Sequence, residues 1–297
     1  MCTALQNKLG LGFSKIEEKV SLAGYTTFGV GGDADYFCTV QTKEDLSILL
    51  NWCKEVNIPF LTIGNGSNLL ISDEGWKGLV IKLGDGFKKI TRSKETITAG
   101  AGVSLRALLR EVKSYSLGGL EPLAGIPGTI GGAVITNAGT SCGKMEDVVS
   151  KLTVMDCQGE KIVLKEQIGF FYRKSDIDTQ KKIVVEVEFS LFEKDKNKID
   201  EDMKNNIKER KKRQPWNMKS AGCVFKNPPE GSAAKFIEEA NLKGLSKGGA
   251  VVSKLHANFI VNTGAATSND ILELINIIQD KVQKKFGIFL EPEIKIV

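Results

Sequence analysis

The sequence predicts an α+β fold on three observations: short β-rich runs interleaved with amphipathic helical patterns, an ordinary globular composition, and glycines gathered into clusters. The chain has 297 residues, of which 41% are hydrophobic and 26% charged, a balance that excludes disorder. One hydrophobic core rarely covers that length, so two or three packing units are expected. The 31 glycines exceed the usual share of about 7%, which calls for unusual backbone somewhere in the chain.

Ala34 to Val40 reads as a strand. Thr42 then opens a helix, with Asp45 three residues on and an apolar face of Leu46, Leu49, Leu50, Cys53 and Val56. After Pro59 come strands at Phe60 to Ile63, Leu69 to Ile71 and Leu79 to Leu83. A second helix from Ser104 to about Tyr115 places Leu105, Leu108, Leu109 and Val112 on one face and stops before Gly118-Gly119. Further strands follow at Leu152 to Asp156, Lys161 to Leu164 and Ile183 to Leu191.

The stretch Glu193 to Arg213 holds 15 charged residues, 6 acidic and 9 basic, with Ile199, Met203 and Ile207 as its apolar stripe. It reads as a solvated connecting helix stopped by Pro215, with cations at its C-terminal end where the helix dipole favours them. Beyond it the pattern predicts a helix at Ala233 to Asn241, strands at Gly249 to Leu255 and Asn258 to Asn262, a long helix at Ser268 to Phe286, and a closing strand at Ile288 to Val297.

A formal charge of 41 − 36 = +5 is mild for this length. It permits an anionic ligand and argues against a nucleic-acid binder, which shows a concentrated basic face. Six cysteines (Cys2, Cys38, Cys53, Cys142, Cys157, Cys223) form no CxxC pair, and the single histidine, His256, completes no zinc spacing. No metal is expected, and His256 between two strands reads as structural. The N-terminus MCTALQNKLGLGF lacks the apolar run of a signal peptide, and no stretch is long enough to span a bilayer. A cytoplasmic protein with reduced thiols and no membrane insertion is expected.

Three glycine clusters stand out: Gly29 to Gly32, Gly64 to Asn68, and Glu121 to Ala133. Glycine lets backbone N–H groups approach an anion closely, and such nests suit pyrophosphates. None of the clusters matches GxGxxG after a strand, and Gly139 to Met145 lacks Walker A spacing. A Rossmann crevice is therefore not expected. The Gly64 to Asn68 run taken alone also fits a tight turn. Pro122 to Gly132, with four glycines and two prolines, reads as a long loop with one fixed path, of the kind that presents a ligand.

Six motifs run in order: YTTFGVGG (Tyr25 to Gly32), IGNGSNLL (Ile63 to Leu70), GLEPLAGIPGTIGGAVITNAG (Gly119 to Gly139), YRKS (Tyr172 to Ser175), AGCVFKNP (Ala221 to Pro228) and LEPEIKI (Leu290 to Ile296). Together they resemble the UDP-N-acetylenolpyruvoylglucosamine reductase family of bacterial cell-wall synthesis, from about residue 20 onward. The resemblance implies a two-subdomain FAD-binding domain of the vanillyl-alcohol oxidase (PCMH) type over 20–192, divided at about 90. A charged connecting helix over 193–213 and a C-terminal α+β substrate-binding domain over 214–297 would follow. It also implies non-covalent FAD, NADPH as electron donor and a UDP-sugar substrate. The short interval from Phe170 to Ile183 points to the shorter subtype of the family.

On the same resemblance, the FAD pyrophosphate would lie against Asn65, Gly66, Ser67 and Asn68 and against Gly128, Thr129 and Gly131. The implied reaction passes hydride to an enolpyruvyl ether, so charge building on the pyruvyl carboxylate must be stabilised and a carbon protonated. Arg173 in YRKS, always cationic, would meet that carboxylate, with Tyr172 beside the substrate. Glu293 reads from its pattern as a solvent-facing strand residue opposite Ile294 and Ile296. The resemblance instead turns it to the pyruvyl group, where an anion nearby would raise its pKa.

Cys223 stands where the best-known members carry a proton-donating serine and some relatives carry cysteine; a thiol is the stronger acid. The other five cysteines are expected to be small buried hydrophobes. For the UDP diphosphate the candidates are Arg213, Lys226 and Asn227. Two rivals remain at this level: an FAD-dependent oxidase of the same fold, and a non-catalytic binding protein using the basic ERKKR run.

Overall fold

A computed structural model of the chain describes residues 15–297; Cys2 and the N-terminal segment read above for a leader lie outside the described residues. The chain divides into two compact units. The first takes residues 15–19, Asp35–Gly64 and Lys77–Lys208, and the second takes Val20–Ala34, Asn65–Trp76 and Glu209–Val297. Two short segments from within 20–192 therefore group with the C-terminal region.

In the first unit, helix α1 (Lys43–Glu55) starts where Thr42 Oγ1 accepts the Asp45 N–H at 3.0 Å, the cap expected from Thr42 and Asp45. It packs on a four-stranded sheet ordered Lys15–Ser21, Asp33–Val40, Trp76–Leu83, Phe60–Ile63. The last two strands run parallel, with Phe60 beside Leu79. A second, antiparallel sheet orders Gly159–Leu164, Val149–Asp156, Ile183–Ser190, Thr96–Gly100 and Ile90–Ser93.

Helix α2 (Leu105–Ser114) is capped by Ser104 and buries Leu105, Leu108, Leu109 and Val112. Ten residues make a marginal helix in water. Four buried apolar side chains, at about 1.5–3 kcal/mol each, stabilise it against the core that both sheets share.

Two further helices belong here in whole or part. Helix α3 (Ile130–Ile135) lies inside the glycine-rich run, with Thr129 as its cap. Helix α4 (Lys196–Arg213) buries Ile199 and rests Met203 and Ile207 on the first unit's core, the thin stripe the sequence shows. Lys113 pairs with its Asp200 at 2.6 Å, and Lys194 with its Asp202 at 2.8 Å.

The second unit contains helix α5 (Ala233–Glu239) and an antiparallel sheet of Ser246–Lys247, Ala250–Val252 and Ile260–Asn262. Helix α6 (Ser268–Phe286) has the expected bounds. It opens with a reciprocal pair of bonds between Thr267 and Asp270 and ends at Gly287, whose φ of 73° is left-handed. Ile271, Leu274, Ile275, Ile278 and Val282 of α6 join Phe28, Val30, Leu70, Val224 and Phe225 in the unit's own core.

Several expectations need correction. The closing strand is only Lys295–Ile296, paired in parallel with Leu69–Leu70, because Glu291 and Glu293 bond instead to Lys226 and Val224 in a short bridge. Ile296 is 44% exposed, so the expected apolar face of that strand fails. Gly249 to Leu255 shortens to Ala250–Val252 because Ser253 Oγ accepts the N–H groups of Leu255 and His256 and turns the chain. The run Pro122 to Gly132 is not all loop, since a 3₁₀ turn at Glu121–Leu123 and α3 interrupt it. The strands Lys15–Ser21, Ile90–Ser93 and Thr96–Gly100 are absent from the sequence reading; Lys15–Ser21 carries one buried side chain, Ile16.

Cys38 and Cys53 are buried as expected, but Cys142 is exposed and Cys157 half-buried. Cys142 sits in the turn between the short strands Gly139–Thr140 and Gly143–Lys144, where no core is within reach. Among the described residues no helix is long and apolar enough to cross a membrane.

Candidate functional site

The first unit brings Gly64 to the loop Gly128 to Gly131 and ties Arg173 to the segment after α3. A Cβ on Gly64 would sit 2.4 Å from Thr129 Oγ1, so only glycine lets the end of strand Phe60–Ile63 reach the cap of α3. Gly128 holds φ 141° and its carbonyl accepts the Leu105 N–H at 3.0 Å. The N–H groups of Ile130 and Gly131 donate to Val103 and Ala101 at 2.8 and 2.9 Å. A Cβ on Gly131 would sit 3.0 Å from the Ala101 Cβ, so glycine lets the start of α3 pack closely on the chain at Ala101, with its N–H engaged there.

Arg173 occupies a two-residue turn with Tyr172, between strands Phe170–Phe171 and Lys174–Ser175. Its φ is 58°, a left-handed conformation that costs a non-glycine residue about 1–2 kcal/mol and survives where neighbours over-determine it. Three bonds do so. Arg173 Nη1 donates to the Gly139 carbonyl at 2.7 Å, Asn137 Nδ2 to the Phe171 carbonyl at 3.1 Å, and Ser175 Oγ to the Ile135 carbonyl at 3.1 Å. The guanidinium lies 5.5 Å from the ring centroid of Tyr172, which is itself 54% exposed.

The second unit gathers the remaining candidates. Gly66 has φ 61°, and a Cβ there would meet the Tyr25 carbonyl at 2.1 Å. Its own carbonyl accepts the Thr27 N–H at 3.2 Å, so the runs Tyr25 to Gly32 and Asn65 to Asn68 are packed backbone to backbone. Asn68 then reaches the C-terminal strand: its Nδ2 donates to the Glu293 carbonyl at 3.3 Å and its own carbonyl accepts the Lys295 N–H at 2.9 Å.

The extended segments around Cys223 and Glu293 are joined by peptide groups. Glu293 N–H donates to the Val224 carbonyl at 2.7 Å, and Lys226 N–H to the Glu291 carbonyl at 2.9 Å. Buried Asn258 holds the other edge of the same segment. Its carbonyl accepts the Val224 N–H at 2.8 Å, and its side chain exchanges both bonds with Phe225 at 2.9 and 2.8 Å. Cys223 is half-buried, in no disulfide, and preceded by Gly222 in a left-handed conformation, φ 80°.

The polar candidates are less uniform. Lys226 Nζ pairs with exposed Glu291 at 2.6 Å, and Asn227 Oδ1 accepts the Ala233 N–H at 3.0 Å, closing the turn before α5. Arg213 ends α4, exposed, 3.5 Å from Glu209. His256 packs edge-on to Phe259, and its Nδ1 accepts the Asn258 N–H at 3.3 Å. Burial holds its pKa below the usual imidazole value. Sequence reasoning missed Asn137 and Asn258, whose partners lie 34 and 33 residues away; an asparagine's distant partner leaves no periodic signal.

Neither glycine-rich run, 64–68 or 124–136, carries an acidic side chain, and neither holds a histidine or cysteine for a covalent tether. Asn65, Pro127 and Gly132 are exposed, so parts of both runs are open to a ligand. Taken separately, each run offers backbone amides and hydroxyls, and the first the carboxamides of Asn65 and Asn68, without a counter-charge, donors of the kind that fits a non-covalent dinucleotide pyrophosphate.

Comparison with known proteins agrees. Residues 34–165 match the family description "FAD binding domain", and residues 214–297 match "UDP-N-acetylenolpyruvoylglucosamine reductase, C-terminal domain". The chain is 42% identical over 274 residues to the UDP-N-acetylenolpyruvoylglucosamine reductase of Clostridioides difficile strain 630, covering 92% of this chain and 90% of that one. It is 40% identical over 285 residues to the enzyme of the same name from Clostridium botulinum strain Eklund 17B, covering 96% and 93%. The crystal structure of UDP-N-acetylenolpyruvylglucosamine reductase (MurB) from Thermus caldophilus superposes with a TM-score of 0.83 at 41% identity, over 96% of this chain and 99% of that one.

Proposed function

We propose, from the premise that this chain belongs to the UDP-N-acetylenolpyruvoylglucosamine reductase family, that it reduces the enolpyruvyl ether of its UDP-sugar substrate with NADPH as donor. FAD, when bound, would supply the redox chemistry that carries a hydride from the donor to the terminal carbon of the enolpyruvyl group. With a proton added at the adjacent carbon, the product is the lactyl ether, UDP-N-acetylmuramate, for peptidoglycan synthesis. Residues 20–192 serve the cofactor and carry Tyr172 and Arg173 to the substrate, 193–213 connect and end on Arg213, and 214–297 serve the substrate.

Asn65, Gly66, Ser67 and Asn68 hold the cofactor's pyrophosphate through backbone and carboxamide donors, as do Gly128 and Thr129, with Gly131 in the same loop. Arg173 binds the pyruvyl carboxylate and stabilises the charge that builds there. Glu293, in its protonated form, donates a hydrogen bond to the same group. The Cys223 thiol delivers the proton to carbon, a task that suits its intrinsic acidity better than a hydroxyl's.

Tyr172, Arg213, Lys226 and Asn227 bind the remainder of the substrate. The exposed Lys226–Glu291 pair is worth only about 0–1 kcal/mol, so a diphosphate displaces the carboxylate readily. Asn227, its oxygen turned to Ala233, presents its amide nitrogen as the donor.

The observation that carries the reading is the peptide ladder between 224–226 and 291–293. It keeps Cys223 and Glu293 on neighbouring segments, which supports reading them as proton donor and hydrogen-bonding carboxyl. The test is an anaerobic absorbance titration of the purified protein. Flavin bands that bleach with NADPH and return with UDP-N-acetylenolpyruvoylglucosamine are the expected result. Bands that bleach but return only with oxygen would indicate an oxidase, and protein that takes up no FAD would end the proposal.

A further inference from the structure

The hairpin that carries Arg173 is held by alternate residues of one short segment. Residues 135, 137 and 139 bond in turn to Ser175, Phe171 and Arg173. That segment directly follows α3, whose opposite end is the Thr129 cap in the cofactor loop. Asn137 is the central contact and the most constrained. It is 3% exposed, it turns the chain out of the helix at φ 42°, and its own N–H donates to the Val134 carbonyl at 3.1 Å.

The Asn137 carboxamide has a settled orientation. Its Oδ1 accepts the Glu146 N–H at 3.0 Å, so its Nδ2 is the group facing both Glu146 Oε2 at 3.2 Å and the Phe171 carbonyl at 3.1 Å. Lys144 pairs with Glu146 and, by hydrogen bonding, holds that carboxyl below the usual range, which keeps it an acceptor. A buried amide with donors and acceptor all engaged is a stiff linker. Its other side is the peptide two residues before the guanidinium.

We propose that Asn137 is a positioning residue for Arg173, fixing the guanidinium relative to the cofactor loop through the two ends of α3. This rests on the role given to Arg173 above. Loss of the carboxamide frees the hairpin, so the carboxylate-binding cation moves away from its working place while the glycine-rich loop keeps its form. Misplacement of a charged group by about 1 Å is enough for about a 10²-fold loss in rate.

Asn137→Gly separates the side chain from the backbone, because glycine adopts φ 42° freely. In the FAD-loaded enzyme three readouts apply. Amide hydrogen exchange over residues 170–175 should quicken, flavin reduction by NADPH should stay unchanged, and reoxidation by the enolpyruvyl substrate should slow by about 10²-fold. Combined with Arg173→Ala, it should add no further loss. Equal slowing of both half-reactions, unchanged exchange, or additivity with Arg173→Ala would overturn the proposal.

If the glycine variant does not accumulate, Asn137→Asp replaces it. Aspartate tolerates the same backbone and keeps the acceptor for Glu146 N–H but loses the donor to Phe171; the same three readouts decide. Should Arg173→Ala alone leave reoxidation unchanged, the role of Arg173 falls and this inference with it. An Arg173→Ala defect without an Asn137 defect sinks only the latter.

Discussion

In the first unit Arg173 stands at the tip of a two-residue turn tied to 135–139 by bonds from the side chains of Arg173, Ser175 and Asn137, whereas in the second unit Cys223 and Glu293 ride on extended segments joined by peptide groups. Both arrangements order a reactive side chain over a stretch without regular helix or long strand. The first depends on hydroxyl, carboxamide and guanidinium groups, and any of them can be removed singly. The second depends mainly on backbone bonds that no substitution but proline deletes, with the side chains of Asn258 and Asn68 as added supports. A guanidinium recognises a carboxylate at the end of a long, adjustable stem. A thiol on a single methylene has no such reach, so its backbone must be fixed instead.

The largest effect expected is at Cys223. Cys223→Ala should lower turnover by about 10²–10⁴-fold while flavin reduction by NADPH persists, and Cys223→Ser should restore turnover; stopped-flow absorbance separates the two steps. Full turnover in the alanine variant would remove the proton-donor role. Next is Asn258→Ala, which leaves the buried N–H and carbonyl of Phe225 without their side-chain partners. It should destabilise the fold by roughly 2–5 kcal/mol, read by denaturant unfolding, and depress the Cys223 step more than flavin reduction. An equal loss in both steps would show that the ladder serves the fold alone.

A smaller effect concerns pH. Burial depresses the folded pKa of His256 below its unfolded value. The unfolded chain therefore takes up the proton first as pH falls. The stability held by neutral His256 is present above the unfolded value near 6.5 and lost as pH falls through the lower folded value. His256→Gln should flatten the stability profile across that window, and an unaltered slope would assign the acid sensitivity elsewhere.

The smallest effect is chemical. Burial pushes the Cys53 thiol up to about 12, so a thiol reagent at neutral pH should label exposed Cys142 and half-buried Cys223 while sparing Cys53 in the folded protein. Mass spectrometry of the labelled peptides reads this directly.

Much of this architecture was legible because helices announce themselves locally. Thr42 with Asp45, Ser104, and the apolar spacing from Ile271 to Val282 each lie within a few residues of what they specify, and α1, α2 and α6 appear accordingly. The motifs around Arg173, Cys223 and Glu293 were visible for the same reason. The strand Lys15–Ser21 was not, because one buried isoleucine makes no alternation, and α3 was hidden among glycines that argue for loop. The supports of the site were invisible as well. Asn137 and Asn258 are ordinary polar residues in the sequence, and only the folded chain brings Phe171 and Phe225 to them.

The second unit is assembled from Val20–Ala34, Asn65–Trp76 and Glu209–Val297, and this sets an order for synthesis. A ribosome that has delivered residue 208 has supplied the whole of the first unit, whose sheets, including the pairing of Thr96–Gly100 with Ile183–Ser190, can then close without the rest of the chain. Phe28, Val30 and Leu70, made early, must wait for Val224, Phe225 and the face of α6 before their shared core exists. Until then three apolar side chains stay uncovered on the nascent chain, a surface for a chaperone to hold.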